Sequence, residues 1–198
     1  MMISEQYRAV FLSMPKAGTH SMYYFLNEAY KFVRYAKRGP TVDLSANPYH
    51  WYVIPDEFKA FMRFTTCRNP FARAVGAWWT TRGGEMGAPA EFKDHVRWAI
   101  TARPGYGAFQ KQSYYLDLCE PGYILRCESL DADFAVLPFC NGATPEIPRV
   151  HSFAHERQPW PLYYDHATAD VVREYYAEDF ERLGYSTELD YELAETVI

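Results

Sequence analysis

Seven consecutive residues, Pro15-Lys16-Ala17-Gly18-Thr19-His20-Ser21, put a cation, a glycine and two hydroxyls between an apolar run and a helical pattern. That combination is suited to binding anions. Backbone N–H groups of the turn and of a helix N-terminus point at one place, the helix dipole favours negative charge there, and Lys16 adds a full charge. Gly18 lets the backbone come close. The order differs from a Walker A loop, where the lysine follows the second glycine and precedes Ser or Thr; here Lys16 precedes Gly18. A second basic element, Arg68-Asn69-Pro70-Phe71-Ala72-Arg73, stands at another strand-to-helix junction, with Arg68 at the strand end and Arg73 one turn into the helix. Two such cradles suit a ligand with two anionic groups. For proton transfer near neutral pH histidine is the usual side chain: His20 lies in the first loop and His50 between the two basic elements, with Glu85 in the glycine-rich loop as a carboxylate candidate. No metal site is expected: His151 and His155 sit in proline-rich surroundings, and Cys67, Cys119, Cys127 and Cys140 show no C-x-x-C spacing. The cysteines read as buried free thiols.

Elements must carry these residues. Tyr7 to Met14 reads as a buried strand closed by Pro15, and helical spacing resumes from Thr19 and runs through Ala36, with Thr19 or Ser21 as cap. Residues 38–55 read as an ordered connection, Phe61 to Cys67 as a strand, and Phe71 to Thr81 as a helix with Pro70 in its first turn. Beyond a glycine-rich loop at 83–89, helices are expected over 90–102 and 109–118, a strand over 122–127, a helix over 128–139, and a helix over 167–183 stopped by Gly184. Residues 141–161, with four prolines, read as an irregular binding loop. Strands alternating with helices predict an α/β chain, a single domain over 1–198 with a central, mostly parallel sheet flanked by helices. In such a sheet the carboxyl ends of the strands share one edge, so Lys16 and Arg68 would converge there.

With 198 residues, 48% hydrophobic and 23% charged, the composition excludes disordered, collagen-like and coiled-coil classes. Net charge is −5 but unevenly spread: residues 1–82 hold 11 Lys+Arg against 5 Asp+Glu, and residues 83–198 hold 9 against 20. A basic front half fits an anionic ligand without requiring nucleic acid. The first residues lack the basic start and apolar run of a secretory signal, and no stretch reaches the ~18–20 apolar residues of a membrane span, so a cytoplasmic location is expected.

The two basic elements resemble the motifs of the sulfotransferases. Pro15 to Ser21 is similar to their 5′-phosphosulfate loop, P-K-x-G-T-x-S, and Arg68 to Arg73 to their 3′-phosphate motif, R-N-P-x-x-R. Tyr123 to Phe134 and Tyr175 to Tyr185 resemble segments of the Golgi carbohydrate-type branch. The resemblance implies a P-loop-NTPase-like sulfotransferase fold. It also implies transfer of a sulfuryl group from 3′-phosphoadenosine 5′-phosphosulfate (PAPS) to a hydroxyl of a sugar or small molecule, leaving 3′,5′-ADP, with no metal. Lys16 would stabilise charge on the leaving phosphate. Ala17, Gly18, Thr19, His20 and Ser21 would hold the phosphosulfate, Arg68 and Arg73 the 3′-phosphate, and His50 would act as base. The family's layout would put the 141–161 segment, with Arg149, His151 and Ser152, over the adenosine end. Two departures matter: the resemblance expects a serine eight residues after Arg68, where this chain has Gly76, so that either Thr80, Thr81 or a backbone group compensates or nucleotide affinity is weaker, and His20 stands where the first loop usually has a small residue. A P-loop-type nucleotide kinase and a non-catalytic module binding a nucleotide or sulfated ligand are the rival readings.

Overall fold

The computed structural model describes residues 1–35, 54–82, 88–102, 105, 107–150 and 158–189. In chain order the strands are β1 (Met2–Ser4), β2 (Ala9–Leu12), β3 (Val33–Arg34), β4 (Met62–Cys67) and β5 (Tyr123–Arg126). The helices are α1 (Thr19–Tyr30), α2 (Pro70–Thr81), α3 (Phe92–Thr101), α4 (Gln112–Cys119), α5 (Leu130–Ala135), α6 (His166–Tyr175) and α7 (Ala177–Leu183). The chain divides into two compact units, Met1–Arg68 with Tyr114–Ser152, and Asn69–Ser113 with Phe153–Ile198.

The first unit holds one five-stranded sheet in the order β3-β1-β2-β4-β5. β2, β4 and β5 run parallel, as expected of strands separated by helices. β1, however, is antiparallel to both neighbours, which corrects the expectation of a mostly parallel sheet: the sheet is mixed. The cause is local. Met1, Met2 and Ile3 are apolar and at most 3% exposed, and residues 5–8 fold the chain straight back into β2, with Arg8 N–H on the Glu5 carbonyl at 3.2 Å and Tyr7 N–H on Ser4 Oγ at 3.3 Å. A three-residue strand gives too short an apolar run to stand out from sequence.

α1 also ends earlier than its periodicity suggests. Lys31 takes a left-handed conformation (φ 55°), the N–H groups of Lys31 and Phe32 close on the Asn27 and Leu26 carbonyls, and Val33 then pairs with Ile3 in β3. One face of the sheet packs on α1 and α5 through Phe11, Phe64, Leu125, Phe25, Leu26 and Phe134. Val10, Leu12, Thr65 and Cys67 on the other face are buried as well, which accounts for the unbroken apolar reading of β2.

In the second unit α2 begins as anticipated. Asn69 Oδ1 accepts from the Phe71 N–H at 2.9 Å and the Ala72 N–H at 3.4 Å, and Pro70 takes the first turn, where its missing N–H costs nothing. α2, α3, α6 and α7 share an aromatic core that includes Phe71, Trp78, Phe92, Tyr164, Tyr176 and Phe180. The helix anticipated over 167–183 is two helices broken at Tyr176, whose buried hydroxyl donates to the Phe109 carbonyl at 2.6 Å. Likewise the run 128–139 is the short α5 with 3₁₀ turns at either end.

Candidate functional site

The loop from β2 to α1 is built to a tight specification. The Met14 carbonyl accepts from the Ala17 N–H at 3.2 Å and from Thr19 Oγ1 at 2.8 Å. Lys16 (φ 66°) and Gly18 (φ 74°) both lie in the left-handed region. Glycine adopts it at little cost, but for a lysine it costs about 1–2 kcal/mol. The same conformation recurs at Arg8, Lys31, Glu120 and Asn141, in turns and at helix ends. The Thr66 hydroxyl of β4 donates to the Ala17 carbonyl and holds the loop from beneath, while Thr65 donates to the Leu12 carbonyl. Tyr23 ties α1 to the same place, its hydroxyl donating to Ser13 Oγ at 3.0 Å. Gly18 is the residue before α1, and no side chain caps the helix, so neither Thr19 nor Ser21 serves as the cap.

The parallel register carries the other groups to this edge. Leu12 of β2 stands beside Thr65 of β4, and Cys67 of β4 beside Arg126 of β5. Lys16 and Arg68, half-buried residues just beyond β2 and β4, therefore follow adjacent strands at their carboxyl ends. Cys127 follows β5 there, and a Cβ on Gly18 would lie 3.2 Å from its Sγ, so the loop packs directly against it. Burial pushes the Cys127 thiol up to about 12, against the downward pull of Arg68 and Arg149 and with Glu128 and Cys67 opposing that pull. The thiol stays protonated and serves as packing.

Other sequence candidates are placed differently. The Thr19 hydroxyl spends its proton on the Met14 carbonyl, whereas Ser21 Oγ accepts from the Val150 N–H at 3.0 Å, a bond that uses a lone pair and not the hydroxyl proton. Of the two, Ser21 keeps the donor that a phosphate needs. His20 is exposed. Arg73 belongs to the second unit, is 1% exposed, and hydrogen-bonds to Tyr176 inside that unit. Thr80 and Thr81 donate within α2, to the Ala77, Gly76 and Trp78 carbonyls, and Thr81 Oγ1 also lies 2.9 Å from His95 Nε2. His50, Glu85, His151 and His155 lie outside the described residues. Among the described residues no group of three or more His, Cys, Asp or Glu side chains is gathered as metal ligands would be. None of their helices is long and apolar enough to cross a membrane.

Sequence reasoning missed Thr66 and Cys127 as the supports of the loop. Thr66 reads simply as a β-former in a strand, and nothing in its spacing announces a bond to a residue 49 positions earlier. Comparison with known protein families, with curated proteins and with solved structures finds no match.

Proposed function

We propose that this chain is a PAPS-dependent sulfotransferase acting on a hydroxyl of a sugar or small molecule. The observation that carries the reading is the pair of cationic strand ends: the strained Lys16–Gly18 loop after β2 and Arg68 after β4, on adjacent parallel strands. A nucleotide with phosphates at both ends matches two neighbouring cradles, and an arginine at one of them suits a terminal phosphate because its planar fork donates twice. In the reaction the bond from sulfur to the bridging phosphate oxygen breaks as a bond to the acceptor oxygen forms. Lys16 stabilises the charge left on the phosphate, helped by the loop N–H groups and the α1 dipole. Ser21 donates to the phosphosulfate, and His50 takes the acceptor's proton. A kinase is disfavoured by the loop order, because Lys16 precedes Gly18.

The test is calorimetric titration with 3′,5′-ADP, 5′-AMP and ATP, followed by transfer of labelled sulfate to glycans and phenols. Binding of 3′,5′-ADP at least tenfold tighter than 5′-AMP is expected. Lys16→Ala should lower turnover by about 10²–10³-fold, the cost of losing one transition-state donor, and His50→Ala by about 10²–10⁴-fold. Equal affinity with and without the 3′-phosphate would overturn the assignment. Binding of 3′,5′-ADP without transfer to any acceptor would favour the non-catalytic module.

A further inference from the structure

We propose that the first unit carries a second binding site, for a small fused-ring aromatic acid, in a groove at the sheet edge opposite Lys16 and Arg68, with Arg8 as the residue that takes the carboxylate. The inference goes beyond the donor reading and does not depend on it.

The groove is made by the starts of the strands. β2, β4 and β5 begin at Ala9, Met62 and Tyr123, and because they run parallel these starts share one edge. Lys16, Arg68 and Cys127 follow the other ends, so the two edges stand apart by strands of four to six residues, about 13–20 Å. Tyr7, Met62, Tyr123, Pro138 and Phe139 wall a space of about 520 Å³ at the first edge, the size of a site for a ring-bearing small molecule. Every one of these residues belongs to the first unit.

The walls are apolar, open and fixed. Tyr7, Met62, Tyr123 and Phe139 are all part-exposed at one place, whereas Phe32, Phe64 and Phe134 behind them are 0% exposed. Apolar surface left open together in this way marks a binding surface. Phe139 packs on Phe134 and Phe64 with ring centroids 5.7 Å and 6.0 Å apart, and Tyr7 stacks on Phe32 at 6.3 Å and leans on Phe139 at 5.1 Å. The turn that carries Tyr7 and Arg8 is tied to β4, because the Met62 N–H donates to the Arg8 carbonyl at 2.9 Å. A ligand therefore meets walls already ordered by the core, and little ordering cost remains for binding.

Arg8 supplies the polar end. It is exposed and is the charged residue of the lining. Its guanidinium lies over the Phe61 ring at 4.9 Å, and among the described residues no Asp or Glu is paired with it. A ring beneath a guanidinium holds the cation in place and leaves N–H groups at its rim to donate, and a carboxylate fits that fork with two parallel bonds. Tyrosine and phenylalanine faces beside a thioether and a proline suit a flat apolar body. The combination selects a ligand with both parts: an inorganic anion leaves the walls in water, and a neutral ring leaves the fork without its acceptor.

The experiment is NMR of the full chain labelled at the methionine methyls, titrated with naphthoate, with naphthylmethanol as its neutral counterpart and with inorganic phosphate, on wild type, Arg8→Gln, Arg8→Lys and Ala60→Trp. Met62 reports the groove, and Met14, two residues before Lys16, reports the donor edge. Naphthoate should shift the Met62 methyl saturably and leave Met14 in place, and phosphate should leave Met62 in place. Affinity should fall about tenfold in Arg8→Gln, and by as much for the alcohol on wild type, the value of one charge-assisted bond. Arg8→Lys should lose less, since it keeps the charge without the fork. Ala60 is an exposed residue of the lining, so Ala60→Trp should fill the groove and abolish the Met62 shift while melting as wild type does. Should Arg8→Gln unfold, Arg8→Lys and Ala60→Trp carry the comparison. A Met62 methyl unmoved by naphthoate up to its solubility, equal affinity for the acid and the alcohol, or wild-type binding by Ala60→Trp would each overturn the inference. A shift at Met14 with Met62 unmoved would overturn it too, by putting the acid at the donor edge. None of these results bears on the preference for 3′,5′-ADP, so the two proposals fail separately.

Discussion

At the scale of single residues, the loop after β2 depends on Gly18 for two separate reasons. Its φ of 74° disfavours any side chain, and a Cβ there would crowd Cys127 Sγ at 3.2 Å. Gly18→Ala is expected to lower stability in denaturant unfolding by about 1–2 kcal/mol from the backbone conformation alone, with a further loss from the contact. Adding Cys127→Ala should return the contact part and leave the backbone part. A Gly18→Ala protein as stable as wild type would show that the loop is not held as described. Lys16 makes the complementary case: it occupies a conformation that glycine would take more easily, and it is a lysine nonetheless. Under the proposed function, the charge of that side chain is what the loop presents to the donor, although the same backbone conformation also closes α1 at Lys31.

At the scale of elements, the start of α4 is held by one carboxylate. Asp179, fully buried in α7, accepts from the N–H groups of Gln112 at 2.8 Å and Ser113 at 2.7 Å. Asp179→Ala would leave two backbone donors unsatisfied away from water, and a destabilisation of about 3 kcal/mol is expected in urea unfolding, at 1.5–3 kcal/mol for each bond to a charged acceptor. A loss under about 1 kcal/mol would mean that water replaces the carboxylate. The spacing of the sequence exposes why some elements are legible and others are not. α2 carries its own signals in Asn69, Pro70 and an apolar period, β4 is a β-prone run stopped by Arg68-Asn69-Pro70 and β5 an apolar run after Gly122, so each can be read from its own residues. β1 and β3 are three and two residues long and exist only because they pair with each other and with β2. Their formation is a tertiary event with no local period to reveal it. The break at Tyr176 is of the same kind, set by a hydroxyl reaching Phe109. For the site, Lys16 and Arg68 were legible because residue type and junction coincide, while the Asp131 and Cys127 attachments of Arg149 span 18 and 22 residues and leave no pattern.

At the scale of the whole molecule, the charge division acquires a purpose under the proposed function. The cations proposed for the donor, Lys16 and Arg68, come from the basic front half, and residues 83–198 carry 20 Asp+Glu against 9 Lys+Arg. If those carboxylates border the acceptor, a polysulfated one is repelled, so a neutral sugar should be sulfated faster than a polysulfated one, and the ratio should shrink as salt shortens the range of the repulsion. Equal rates for both at low salt would remove this role for the acidic residues. The division into two units also bears on how the chain comes to be folded. Neither unit is continuous: each is made of two stretches, and the path passes from one to the other after Arg68, Ser113 and Ser152. On a ribosome adding about 5–20 residues per second, β4 would emerge several seconds before β5, whose residues pair with positions 59 earlier. Until then the edge of β4 is without its final neighbour. The sheet therefore closes late, and the interval before residue 123 appears is when this protein has most to gain from a chaperone.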